Sequence, residues 1–344
     1  MVLDKLELPI VLAPLAGGPS TPALVAAVCE AGAFGFLASG YLTPAQLEEQ
    51  LGELRSRTRR PFGVNVFAPA AGASDPAVFA PYVDEIRRWA GQRGLQVGQP
   101  AFDDDGFAEK VELLARDPAA VVSFTFGMPS RETIGRLHDA GSEVWVTVTT
   151  PSEAALAIDG GADALVVQGG EAGGHRGSFD DGAAEPARSL LSLLQLLADA
   201  DLPLVAAGGL MSGSAIAAAL AAGARAAQLG TAFLLCPEAG TAAPHRDALR
   251  RAGKPTRMTR AFTGRAARGI VNAFMDEHDG RAVSAYPEIH HLTAPLRREA
   301  RAQGDASMIN LWAGEAYPLA RELSAGELVA VLAAEAGIRL SAER

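Results

Sequence analysis

The stretch DGGADALVVQGGEAGGHRG, residues Asp159–Gly177, carries the plan of the whole chain. A helical pattern ends at Asp159, Gly160 breaks it, a short turn follows, and Ala164–Gln168 is an apolar run of strand length. The same order of helix end, glycine, turn and buried strand recurs in EAGAFGFLA (Glu30–Ala38), DAGSEVWVT (Asp139–Thr147) and AAGARAAQL (Ala221–Leu229). That recurrence is a weak internal repeat of a βα unit.

Outward from this stretch, the strand-like runs are Pro9–Leu15, Phe34–Ser39, Phe62–Phe67, Val121–Phe126, Glu143–Val148, Ala164–Gln168, Pro203–Ala207 and Ala226–Thr231. They are almost continuously apolar, as parallel strands covered on both faces must be. Helix-like segments lie between them: Thr21–Ala31, Thr43–Arg57, Ser130–Ala140, Ser152–Asp159, Arg188–Ala200 and Ser212–Ala222. Eight such units predict a (β/α)₈ TIM barrel. A doubly wound open sheet is the competing fold, but the chain has no G-x-G-x-x-G dinucleotide fingerprint.

Two segments exceed a minimal barrel. Residues 69–120 hold two helix-like stretches, Val78–Gln92 and Phe107–Arg116. Residues 235–312 show no barrel strand and read as a helical and loop insertion capping the C-terminal face. The expected organisation is a barrel over 1–234 that includes the 69–120 insertion, a cap over 235–312, and a C-terminal helix within 313–344 packing back on the barrel, with Ala313–Gly337 helical in pattern.

The chain has 344 residues, 49% of them apolar and 20% charged, enough for a large core and a polar surface. A net charge of −10 speaks against nucleic acid or an anionic membrane as partner. Cys29 and Cys236 are too few for a disulfide framework and lack metal-ligand spacing, which suits a reducing compartment. There is no signal-peptide pattern and no apolar run of membrane-spanning length, so a cytoplasmic location is expected. No metal is expected: His290 and His291 are adjacent rather than four apart, and no H-E-x-x-H occurs. Asp103-Asp104-Asp105 reads as a solvated turn. The sequence sets no oligomeric state.

In a (β/α)₈ barrel, chemistry sits at the C-terminal strand ends. Gly208-Gly209 and Gly230-Thr231 follow the seventh and eighth runs, where such barrels often bind phosphate. Glycine lets backbone N–H groups approach phosphate oxygens, and Leu210-Met211-Ser212 looks like a helix start that adds a favourable dipole. The plainer function of these glycines is a tight turn. After the sixth run, Gly169, Gly170, Gly173, Gly174 and Gly177 surround His175 and Arg176. So flexible a loop at a strand mouth points to ligand contact, with His175 able to take a proton near neutral pH. Arg176 either steers an anion or is an exposed loop residue. Asn65 and Gln168 offer a donor and an acceptor on one amide, which suits a planar heterocycle; each could instead bond a local backbone group.

These residues lie in segments, LAPLAGG (12–18), FGVNVF (62–67), VSFTFG (122–127), VVQGGEAGGHRG (166–177), VAAGGL (205–210), QLGTAF (228–233), AYPEIHHLTAPLRREA (285–300) and LWAGEAYP (311–318), that resemble the nitronate monooxygenase family, formerly 2-nitropropane dioxygenases, in its bacterial class I form. The resemblance spans nearly the whole chain. It implies an FMN-dependent barrel that oxidises alkyl nitronates, with nitroalkanes as a second substrate class, with O₂ to a carbonyl compound and nitrite. It implies FMN contacts at Ala13, Pro14, Leu15, Asn65, Gln168, Gly173, Gly174, Gly208, Gly209, Gln228, Leu229, Gly230 and Thr231, and a catalytic role for His175. Tyr286 falls in the segment that closes over substrate. Thr125 stands on the substrate side where class I relatives often carry a second histidine, and Leu15 where many carry Met. Two other readings remain: an NAD(P)H-dependent flavin reductase of a quinone or enoyl thioester, and a non-flavin barrel isomerase or lyase with a phosphorylated substrate.

Overall fold

The computed structural model describes residues 1–182 and 187–338. Eight parallel strands form one closed barrel: β1 (Ile10–Leu12), β2 (Phe34–Ala38), β3 (Gly63–Phe67), β4 (Val121–Thr125), β5 (Glu143–Val148), β6 (Ala164–Gln168), β7 (Leu204–Ala207) and β8 (Ala226–Leu229). Closure is made by β1 against β8, with Ile10 opposite Ala227 and Leu12 opposite Leu229. That pairing excludes the open sheet. Six of the expected runs are shorter as strands, four of them by a single residue; at the other two, Ala13–Leu15 and Gly230-Thr231 leave the sheet and turn over the barrel mouth.

The surrounding helices begin where a side-chain oxygen can take a free N–H of the first turn. Thr21, Thr43, Ser130, Thr150, Ser189 and Ser212 cap α1 (Pro22–Glu30), α2 (Pro44–Arg57), α5 (Arg131–Asp139), α6 (Pro151–Gly160), α7 (Leu190–Leu196) and α8 (Gly213–Ala221). Inside the barrel, the few aromatics are concentrated: Phe34, Phe36 and Trp145 pack with ring centroids 5.3–5.8 Å apart, and Leu3 lies in the same cluster. This packed interior closes the barrel as a channel and leaves only its C-terminal mouth for a ligand.

The insertions depart from the expected partition. Between α3 (Pro76–Gly91) and α4 (Phe107–Arg116), only α4 joins the barrel core, through Leu113 and Leu114. Phe79, Tyr82, Ile86 and Trp89 of α3 instead share a second core with Phe262, Phe274, Ile289 and Leu292. The apolar stripe of α3 finds its partner in the later insertion, which sequence separation conceals. That later region contains α9 (Ala243–Arg251), α10 (Ala273–His278) and α11 (Glu288–Gln303). It also contains strands Thr256–Thr259 and Ala267–Ile270, which form a three-stranded sheet with Gly174–His175.

Among the described residues of the tail, α12 (Ala325–Glu335) is the one α-helix, after a 3₁₀ turn at Tyr317–Leu319. Trp312 bridges to Gly269 in extended backbone, Pro318 stands in the first turn of the 3₁₀ element, and Ser324 with Glu327 forms the capping box that starts α12. The helix packs between α1 and α8. Residues 339–344 of the expected C-terminal segment lie outside the described residues. No helix among the described residues is long and apolar enough to cross a membrane.

Candidate active site

A cavity of about 530 Å³ opens at the C-terminal ends of the strands, under α11. Ala13, Pro14, Leu15, Asn65, Thr125, Gln168, Gly173, Gly174, His175, Gly208, Gly209, Gln228, Leu229, Gly230 and Thr231 all line it. Tyr286 does not; it lines an adjoining cavity of about 590 Å³ that shares Tyr41, Phe67, Phe126 and His290 as a wall.

On the barrel side the cavity presents backbone. Gly208 (φ +112°) and Gly209 (φ +70°) are left-handed, and a Cβ on Gly209 would come 3.1 Å from the Glu171 side chain. The amides of Gly209, Leu210 and Gly230 have no partner within the protein among the described residues. The Gln228 side chain, also buried, makes no protein hydrogen bond among them. These donors suit a phosphate and a polar planar ligand. The expected contribution of a helix start is corrected: α8 begins at Gly213, and its amide donates to the Glu335 carboxylate at 2.9 Å. That charge already occupies the helix N-terminus, so the turn amides themselves remain for an anion. The Thr231 hydroxyl accepts from the Gly314 amide at 3.0 Å.

The glycine-rich loop is fixed by local bonds. Gln168 uses both ends of its amide on it, donating to the His175 carbonyl at 3.1 Å and accepting from the Gly177 amide at 2.8 Å. Asn65 donates to the Ser123 carbonyl and hydroxyl and to the Thr125 hydroxyl at 3.0–3.2 Å, leaving its amide oxygen without a partner. Thr125 is thereby tied to the barrel. Arg176 is neither exposed nor aimed at a ligand; it donates to the carbonyls of Gln168 and Thr149. Gly173 is demanded by packing, because a Cβ there would lie 2.4 Å from the Gly314 nitrogen.

His175 sits where barrel and cap join. Its strand pairs with Ala267–Ile270, which places Nε2 2.9 Å from the Thr263 hydroxyl. That hydroxyl donates to the Arg265 carbonyl at 3.2 Å. Nε2 therefore carries the hydrogen, and Nδ1, which has no protein partner among the described residues, holds the free lone pair. Phe126, Tyr286 and Trp312 surround the imidazole with ring centroids 5.5–5.9 Å away. Burial, with the charges of Arg265 and Arg297, pushes its pKa down to about 3. The imidazole is thus held neutral at neutral pH.

The loops around the mouth and the cap supply residues that local sequence patterns did not single out. Tyr41 accepts from the Tyr286 hydroxyl at 3.2 Å and stacks on His290 at 4.3 Å. Its backbone is held by Asp105, whose carboxylate also pairs with the fully buried Lys110 at 2.7 Å. The third aspartate of the supposed solvated turn is therefore a structural anchor. Arg265 lies 4.0 Å from the Phe126 ring centroid. His245 lines the far end of the cavity, with Nε2 buried and unpartnered.

Comparison with known proteins converges on one family. The family model for nitronate monooxygenase matches residues 2–335. A nitronate monooxygenase of Pseudomonas aeruginosa is 39% identical, and a probable nitronate monooxygenase of Bacillus subtilis 37% identical, each aligned over 96% of both chains. The crystal structure of nitroalkane oxidase from Streptomyces ansochromogenes superposes with a TM-score of 0.93 at 50% identity, covering 98% of this chain and 97% of that one. FabK from Thermotoga maritima gives 0.76 at 25% identity, covering 98% and 94%.

Proposed function

The chain belongs to the nitronate monooxygenase family, and from that premise we propose that it is an FMN-dependent enzyme oxidising alkyl nitronates and their parent nitroalkanes with O₂ to a carbonyl compound and nitrite. The observation that carries this reading is the meeting, in one cavity, of unpartnered turn amides and a neutral imidazole with a free Nδ1.

The residues fit FMN. The amides of Gly209, Leu210 and Gly230 would receive its phosphate, and the amide oxygen of Asn65 and the amide group of Gln228 would face its polar ring edge. When bound, FMN takes electrons from the substrate and passes them to O₂. The protein's share is position and protons. With a neutral nitroalkane, His175 Nδ1 takes the Cα proton and the electron pair moves onto the nitro oxygens, giving the nitronate. Thr263 holds Nε2–H and so keeps Nδ1 the basic nitrogen. The positive surroundings disfavour a lasting imidazolium, so the proton is readily given up again. A preformed nitronate needs no such step. The aromatic wall of Phe126 and Trp312, with Tyr286 packed behind the imidazole, excludes water from the reacting carbon.

The test is His175→Asn, assayed with a nitroalkane and with its preformed nitronate. A base role predicts a loss of about 10²–10⁴-fold on the nitroalkane with the nitronate rate largely kept. Equal loss on both substrates would overturn the base role. A flavin that ignores nitronate but is bleached by NADH or NADPH would identify the reductase instead.

A further inference from the structure

Arg297 is a buried cation without a counter-ion. It lies on α11, only 5% exposed, and lines the cavity from the cap side. Its Nε donates to the Thr293 hydroxyl at 3.1 Å. Its Nη2 donates to the His290 carbonyl at 2.9 Å and to His290 Nδ1 at 3.2 Å. The Thr293 hydroxyl donates in turn to the Phe262 carbonyl. Nη1 has no partner within the protein among the described residues, and no carboxylate pairs with the guanidinium there.

Other cations of the cap differ. Arg257, Arg260 and Arg268 each meet a carboxylate within 3.0 Å. Buried Arg265 also lacks a carboxylate partner among the described residues, but it spends its donors on the carbonyls of Arg176 and Ser178, and Arg301 donates to Asn310 Oδ1. An unpaired charge removed from water is costly, and folds retain one where a ligand completes it. The groups that act on Arg297 do not neutralise it: they are Arg301, His175, His290, Tyr41 and Tyr286, with no acid among them. Burial, then Arg301, lowers its own pKa to about 10, so it stays charged at neutral pH. His290, clamped against Tyr41 with rings 4° from parallel, accepts from Nη2 and so fixes the guanidinium plane.

We propose that Arg297 is an anion-binding subsite in the roof of the cavity, presenting Nη1 to the oxygens of a planar oxyanion. Resting on the functional reading above, that anion is the nitronate group, whether supplied to the enzyme or formed by His175. This subsite is on the cap, separate from the amide turns of the barrel. It acts on binding and orientation and takes no proton.

Nitrate, a planar oxyanion that cannot be oxidised, is the probe. Calorimetric titration of the flavin-loaded enzyme should show nitrate binding that competes with nitronate turnover. Arg297→Met should weaken nitrate binding and raise the nitronate KM by about ten- to a hundredfold, with a smaller change in kcat. It should also move the acid limb of the nitroalkane pH profile upward, because one of the two charges that depress His175 is gone. Arg297→Lys, which keeps the charge but not the planar fork, should fall between the two and covers the case in which the Met variant does not fold. Nitrate binding equal in wild type and both variants, or no binding by the wild type, would overturn the subsite. Arg297-dependent nitrate binding in an enzyme that oxidises no nitronate would leave the subsite standing and remove the functional reading. Nitronate oxidation with KM unchanged in both variants would do the reverse.

Discussion

On its barrel side the cavity is lined largely by backbone: the turns at Gly208-Gly209 and Gly230-Thr231 offer amides held by the sheet. On its cap side it is lined by side chains: Arg297, His290 and Trp312, brought in by residues 263–312. The floor repeats what many barrels do at these strand ends; the roof is built by this fold's insertions alone. The difference teaches where each half of the chemistry resides. A phosphate-bearing cofactor needs fixed amides, which a closed barrel supplies at low cost in new structure. Choosing and orienting a substrate needs charge and shape, which the cap adds. His175 belongs to both, because its two-residue strand grows from a barrel loop and pairs with the cap.

The largest test of this division is on the floor. Gly209→Val puts a β-branched residue at φ +70° with its Cβ against Glu171, a cost of about 2–3 kcal/mol. FMN affinity should fall by about 30- to 100-fold in a fluorescence titration. Unchanged affinity would mean that the phosphate lies elsewhere. The seam is tested next by Thr263→Val, which leaves the His175 Nε2–H buried without an acceptor. About 1–2 kcal/mol should be lost, read as a fall of roughly tenfold in nitroalkane turnover with the nitronate rate little changed. An equal fall on both substrates would assign Thr263 to packing rather than to the imidazole.

The smallest effect concerns the far end of the roof. Burial holds His245 down to about 4, from an ordinary value of 6.5. In the unfolded chain it binds a proton below pH 6.5, whereas in the folded protein it does not until about pH 4. The unfolded state therefore carries more protons in that window, and stability falls as pH drops through it. His245→Gln should flatten the dependence of unfolding free energy on pH by up to about 1.4 kcal/mol per unit between those limits. An unchanged slope in denaturant titrations would show that His245 is not buried neutral.

The floor was legible in the sequence because each of its parts has a topological address. A glycine pair directly after the seventh apolar run must lie at the barrel mouth, whatever the rest of the chain does. The same logic located His175, Asn65 and Thr125. It could not tell ligand contact from local bonding, and Gln168 and Arg176 proved to secure the loop. The roof had no such address. The stripe of α3 and the stripe of α11 are each visible as amphipathic patterns, but their pairing across about 200 residues of sequence is decided by packing. Arg297 reads locally as one more arginine in PLRREA; only its burial and missing counter-ion set it apart. Asp105 read as solvent-exposed because Lys110, its partner, is normally a surface residue. The family resemblance named the segment containing Tyr286; its side chain bonds Tyr41, packs against the His175 ring and lines the neighbouring cavity.

The central claim is that this floor holds a flavin and that the site above it delivers nitronate electrons to it. An anaerobic absorbance spectrum of the purified protein, before and after a preformed alkyl nitronate is added, tests it most directly. The account predicts an oxidised-flavin band that is lost on adding nitronate and returns with air as nitrite is released. A protein that holds no flavin even after incubation with FMN, or whose flavin band is unmoved by nitronate, would contradict it.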